Sequence, residues 1–311
     1  MASISLNEIF EHILTYPDID AQERFNRLMG LDDKKNSLSK LLGAMINPLG
    51  VKNWINKYYP NANNVLETIL RRPPLIVLSG DVGSGKTELA ETIGDLVARQ
   101  EKIEITLLPL SLSTRGQGRV GEMTQLISAA FDYTIEEAKK LKSSSDKNRG
   151  GIILLIDEAD ALAQSRESNQ MHHEDKAGVN AFIRGIDRIA SSKVPVVVIM
   201  CTNRLDAIDP AIRRRSADII KFERPNEEQR KYVLELNLKP LGFSDQQIDE
   251  LVEATGPKNK ESIGYSFSDI TQRLLPAIIF ESYPSRSINT SDAINIAKRI
   301  IPTPQFKDGH E

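Results

Sequence analysis

Residues 80–93 read GDVGSGKTELAETI, directly after the apolar run Leu75–Ser79 and at the head of a helical pattern. Gly80, Gly85, Lys86 and Thr87 match the spacing G-x-x-x-x-G-K-[ST]. Each residue type has a physical reason. Glycines let backbone amides curl around an anion with no Cβ in the way. The lysine is placed to reach β- and γ-phosphates, the threonine hydroxyl to bind magnesium, and the helix that begins there adds its positive end. Gly80, Asp81, Val82, Gly83, Ser84, Gly85, Lys86, Thr87 and Glu88 are therefore the expected polyphosphate-binding set.

Working outward, short apolar runs rich in Ile, Val and Leu alternate with long helical patterns. The expected strands are Leu75–Ser79, Ile103–Leu108, Ile152–Ile156, Val196–Met200 and Asp218–Phe222. Continuous apolar runs separated by helices indicate parallel strands buried on both faces, and so an α/β fold with a doubly wound sheet. No strand pattern follows Pro225. Asn226 caps a helix with Gln229 reaching back, and further helices follow. The expected organisation is an extension over 1–24, a large α/β domain over 25–224, and a helical lid over 225–311 whose tail, from Thr303, is disordered. Leu6, Ile9, Phe10, Ile13 and Leu14 stand at helical spacing, with Ser5 and Glu8 as a capping box and Pro17 as the stop. One amphipathic helix is expected there, packed on the body or docking a partner. The stretch 142–151, KSSSDKNRGG, reads as a polar connection.

Composition excludes several classes. The 43 acidic and 40 basic residues leave a net charge of −3, which gives no bulk attraction to nucleic acid or an anionic membrane. A single cysteine, Cys201, permits neither an internal disulfide nor a cysteine zinc site, and reads as a small buried strand residue. The amino terminus has no basic segment followed by an apolar one, and no apolar run approaches the roughly 20 residues a spanning helix needs. A cytosolic protein is expected.

Three further elements carry chemistry. The run IILLIDEAD delivers Asp157 and Glu158 to the carboxyl end of a buried strand, the edge where ligands gather in such sheets. Asp157 is placed to hold magnesium directly or through water, and Glu158 to act as general base on the attacking water; the plainer reading is a pair of acids capping the next helix. Asn203 follows the next strand and either orients that water or simply forms a turn. The third is Arg213, Arg214 and Arg215, consecutive like charges whose counter-charge is not evident nearby. The plainer reading is a solvated surface run.

Together these segments resemble an AAA+ ATPase over roughly residues 25–280. FNRLMGLDDKK is similar to the family's opening segment beside the adenine, Asn203 to its first sensor, LDAIDPAIRRR to its arginine-finger segment and GYSFSDI to its second-sensor helix. The resemblance implies an ATP- and magnesium-dependent core, a helical lid and a homo-oligomeric ring, usually a hexamer. It implies that Arg214 and Arg215 reach a neighbour's ATP, with Arg213 left as a salt bridge or solvated charge. Guanidinium suits that task, being always charged and able to bind two phosphate oxygens. RRRSADIIKF and SDITQRLLP resemble the branch that remodels HORMA-domain proteins, whose bacterial members accompany HORMA proteins and nucleotidyltransferases in anti-phage operons. The short length fits a bacterial member. Ile270 stands where that branch usually has an arginine, so Arg273 is the nearest second-sensor candidate.

GQGRVGEM occupies the pore-loop place, with Gly118 and Arg119 where the family often has lysine and an aromatic, followed by Val120. Arg119 and Val120 are the expected substrate contacts. A second loop, QSRESNQMHHEDK, is expected to face the same pore, with His172 and His173 as polar loop residues. The expected function is ATP-driven remodelling of a protein, a HORMA-domain protein by resemblance. The rivals are a motor on nucleic acid or another polymer, which would want a basic patch, and a nucleotide-switched scaffold, which could dispense with Glu158.

Overall fold

The computed structural model describes residues 5–112, 122–143, 148–162, 173–259 and 262–305. Six strands form one sheet: β1 (Leu14–Tyr16), β2 (Leu75–Gly80), β3 (Glu104–Ser111), β4 (Gly150–Asp157), β5 (Val196–Thr202) and β6 (Asp218–Phe222), in the order β1-β3-β4-β5-β2-β6. β3 pairs with β4, β4 with β5, and β5 with β2, all parallel. Every residue of β5 is buried, as is every residue of β4 except Asp157. Such strands need cover on both faces.

On one face the helices Glu122–Leu141 and His173–Ser192 pack through Phe131 and Phe182, whose rings meet edge to face at 5.6 Å. Gly185 permits this approach, since a Cβ there would lie 2.4 Å from the Phe131 ring. Ile46, in the helix Asp32–Ile46, lies against Gly151 of β4, and Gly94, in the helix Lys86–Glu101, lies against Tyr16 and Ile153.

The chain divides into two compact units. The first comprises Met1–Asn26, Asp33–Ser79 and Thr87–Lys221. The second comprises Arg27–Asp32, Gly80–Lys86 and Phe222–Glu311. The second unit has its own core of Val233, Leu234, Leu238, Leu251, Tyr265 and Ile270, among others. Its helices Glu227–Leu238 and Asp245–Thr255 begin with capping boxes, Asn226 with Gln229 and Ser244 with Gln247. Gln229 Nε2 also donates to the Gly30 carbonyl at 2.6 Å, which ties 27–32 to the helices. No strand follows β6 among the described residues.

Three expectations are corrected. The amino-terminal helix covers only Leu6–Ile9; Leu14–Tyr16 is an edge strand antiparallel to β3. Burial explains the change: Ile9, Phe10 and Tyr16 are buried while Ile13 is 45% exposed, so no helical stripe runs through position 13. The tail is anchored at Thr303, whose N–H and hydroxyl both bond Asp269. Gly150 and Gly151, expected in the polar connection, begin β4.

Tyr16→Ala should therefore cost about 3–5 kcal/mol, the range for emptying an aromatic core site, and Ile13→Ala less than about 0.5 kcal/mol. Urea denaturation of both variants checks this. A continuous helix would make the two losses similar.

Candidate functional site

The phosphate-type loop closes on itself. Gly80, Gly83 and Gly85 all have positive φ. At Gly80 a Cβ would lie 1.9 Å from the Phe222 carbonyl oxygen, and at Gly83 one would lie 2.8 Å from Ser266 Oγ. These positions need glycine for conformation and for space. Lys86 is 6% exposed. Its Nζ donates to the carbonyls of Gly80 at 2.9 Å and Asp81 at 2.7 Å. Ser84 Oγ donates to the same Asp81 carbonyl at 2.7 Å. A buried ammonium held by loop carbonyls, inside a cradle of glycines, suits a polyphosphate.

In the first unit, Ser79, Ser111, Asp157 and Thr202 share the carboxyl edge of the sheet, with Ser111 registered on Asp157 and Ser79 on Thr202. Thr87 Oγ1 donates to Asp157 Oδ1 at 3.3 Å, and the Glu158 N–H donates to the same oxygen at 2.8 Å. Glu158 adopts φ 51°, a left-handed conformation unusual outside glycine. Its Oε2 accepts from Ser111 Oγ at 3.0 Å. Among the described residues no cluster of three or more His, Cys, Asp or Glu could hold a metal. Thr87 and Asp157 fit magnesium, which typically takes one or two protein oxygens and completes its shell with phosphates and water.

Asp160 is a site residue that sequence reasoning missed. It accepts from Thr202 Oγ1 at 2.5 Å, and from the Asn203 backbone N–H and side-chain Nδ2, each at 3.0 Å. The carboxylate thereby fixes which way the Asn203 amide faces. The available signal was a third acid, two residues beyond Glu158 in IDEAD.

Other expected residues have partners within the chain. Glu88 takes two hydrogen bonds from Arg24, at 2.7 and 2.8 Å, which spends its carboxylate on an ion pair. Arg215 bonds both carboxylate oxygens of Asp187, at 2.8 and 3.0 Å, and that hydrogen bonding raises its pKa. Arg214 is exposed, and no ion pair to Arg213 or Arg214 is present among the described residues. Arg273 donates to Asp269 at 2.8 Å and to the Ile301 carbonyl at 2.9 Å. Arg119, Val120 and His172 lie outside the described residues. Cys201 is buried in β5. No helix of the described residues is long and apolar enough to cross a membrane.

Residues 76–224 match the family model for "ATPase family associated with various cellular activities (AAA)". The chain is 61% identical over 304 residues to CD-NTase-associated protein 6 of Escherichia coli strain MS 115-1, covering 98% of each chain. It superposes with TM-score 0.92 on a chain of the E. coli MS115-1 HORMA:CdnC:Trip13 complex, at 61% identity, covering 97% of this chain and 99% of that one. It superposes with TM-score 0.75 on a Rhizobiales Trip13, at 52% identity, covering 95% and 99%.

Asp269 supplies a pH test of the second unit. Burial pushes its pKa up, but hydrogen bonds from Ser266, Thr303 and Arg273 together outweigh burial and hold it near about 2. A carboxylate depressed on folding contributes its stability in full above the unfolded value of about 3.9 and loses it as pH falls toward the folded value. Wild-type stability should drop between about pH 4 and pH 2, and Asp269→Asn should flatten that drop while lowering stability at neutral pH. Chemical denaturation at stepped pH measures both.

Proposed function

We propose, from the premise that the chain belongs to the AAA family of ATPases, that it hydrolyses ATP with magnesium and couples turnover to remodelling a HORMA-domain protein. The observation that carries the chemical half is the contact between Thr87 and Asp157, with Glu158 on the same Asp157 oxygen. One hydroxyl and one carboxylate suited to magnesium thus stand beside a carboxylate suited to a base. The substrate half is supported by the 61% identical chain solved with HORMA and CdnC. An anti-phage signalling role in the cytoplasm belongs to the same reading.

In this proposal Lys86 and the loop amides bind the β- and γ-phosphates. Thr87 and Asp157 would hold magnesium, which when bound would supply positive charge to the phosphate oxygens. Glu158 takes a proton from the water that attacks the γ-phosphorus, while Asn203, fixed by Asp160, orients that water. ADP leaves with its terminal oxygen stabilised by Lys86.

The arginines complete the site from a neighbouring subunit of a homo-oligomeric ring, here proposed as a hexamer. Arg214 is the first candidate because it is exposed and has no ion pair among the described residues. Arg215 remains a candidate, since its Asp187 partner is 54% exposed and such surface pairs are typically worth about 0–1 kcal/mol. Arg119 and Val120 are proposed, on the resemblance alone, to grip a flexible end of the substrate.

Glu158→Gln should bind ATP with magnesium as wild type does, yet lose at least about a hundredfold in turnover; wild-type turnover in that variant would remove the general-base assignment. Subunits carrying Lys86→Ala, inactive alone, should regain turnover when mixed with subunits lacking the arginine donor. Mixing with Arg214→Ala and separately with Arg215→Ala identifies the donor. Assembled mixed rings with no recovery in either case would remove the in-trans role.

A further inference from the structure

Arg224 follows β6 and precedes the helical part of the second unit. Its side chain is only 10% exposed, and its guanidinium reaches three segments far apart in sequence. Nε donates to Asp81 Oδ2 at 2.7 Å, in the phosphate-type loop. Nη1 donates to the Gly264 carbonyl at 2.7 Å, just before the stretch Tyr265–Asp269. Nη2 donates to the Thr303 carbonyl at 2.5 Å, near the carboxyl terminus.

The surroundings extend the connection. Asp269, fully buried, lies 3.9 Å from Arg224 Nη1 and takes hydrogen bonds from Ser266, Arg273 and Thr303. Two arginines and two aspartates, Arg224, Arg273, Asp81 and Asp269, therefore balance in charge across three segments. The Ser268 N–H donates to the Gly83 carbonyl at 3.1 Å, a second link from this region to the loop. At the far end, the Tyr265 hydroxyl donates to the carbonyls of Ala297 and Ile300.

The loop end of this network matters most. Arg224 holds the Asp81 side chain, while the Asp81 carbonyl is where Lys86 and Ser84 bond. Rotation of the Asp81 peptide would shift the acceptor of the ammonium proposed to meet phosphate. Only a guanidinium offers donors in a planar fork wide enough for three acceptors; a lysine keeps the charge but concentrates it at one point.

We propose that Arg224 is a positioning residue for the nucleotide loop, setting Asp81 and through it Lys86, and that it couples nucleotide affinity to the carboxyl-terminal segment anchored at Thr303. This rests on the ATPase reading for its ligand, though not for the loop order it predicts. Arg224 touches no phosphate in this scheme; it acts through Asp81.

The test uses the full chain with Arg224→Lys, Asp81→Asn, their double variant and Thr303→Ala. Two readouts are needed: hydrogen exchange of the amides at 81–85 without nucleotide, and the Kd of a fluorescent ATP analogue together with KM and kcat. Arg224→Lys should speed exchange of the loop amides and weaken analogue binding roughly ten- to a hundredfold, the range expected for losing charge-assisted hydrogen bonds. KM should rise more than kcat falls. Asp81→Asn should do the same, and the double variant should be no worse than either single one. Thr303→Ala, far along the chain, should move both readouts in the same direction by a smaller factor. Multiplicative effects in the double variant, or unchanged loop exchange in folded Arg224→Lys, would overturn the coupling. If the wild-type chain binds no analogue, the ATPase reading fails, and hydrogen exchange still decides whether Arg224 orders the loop.

Discussion

A single carboxylate oxygen organises the chemistry at the sheet edge. Asp157 Oδ1 accepts both the Thr87 hydroxyl and the Glu158 amide, and Asp157 is the last residue of a strand whose other residues are buried. A slip of one position would swap every side chain of the strand to the opposite face and undo the packing on both. Parallel register therefore fixes where the carboxylate stands, the carboxylate fixes where Thr87 and Glu158 stand, and β3 brings Ser111 to Glu158 by the same register. Glu158 departs from ordinary backbone geometry only one residue beyond this rigid strand, where a left-handed conformation can be held.

Asn203 illustrates how second partners set first ones. An asparagine at a strand end is free to present either face of its amide. Asp160 removes that freedom by accepting from both its backbone and its side chain, and from Thr202 besides. In the proposed reaction the acid run IDEAD would carry three separate duties: a cation ligand, a base and an orienter. The arginine run divides similarly. Arg215 is paired with Asp187 of its own chain, while Arg214 is exposed, so adjacent residues of the same type have different surroundings.

Much of this was legible in the sequence. Strands buried on both faces read as continuous apolar runs, which is why five strands and the loop between β2 and its helix could be placed. The edge strand β1 could not, because three residues are too short for a period, and Leu6, Ile9, Phe10 and Leu14 also satisfy helical spacing. Side-chain pairing was the least legible feature. Arg24 and Glu88 are 64 positions apart, Arg215 and Asp187 28, and Arg224 and Asp81 143. No local pattern joins such partners; only the folded chain does. Thr303 belongs to the same class, since a polar tail reads as disordered until the buried Asp269 it caps is known.

In the proposed function, ATP chemistry at this edge drives work on a HORMA-domain protein. The direct measurement is release of a fluorescent peptide bound to the cognate HORMA partner, followed with ATP and magnesium, without nucleotide, and with the Lys86→Ala chain. Release should require ATP and disappear in Lys86→Ala. Equal release without ATP, or by Lys86→Ala, would contradict it.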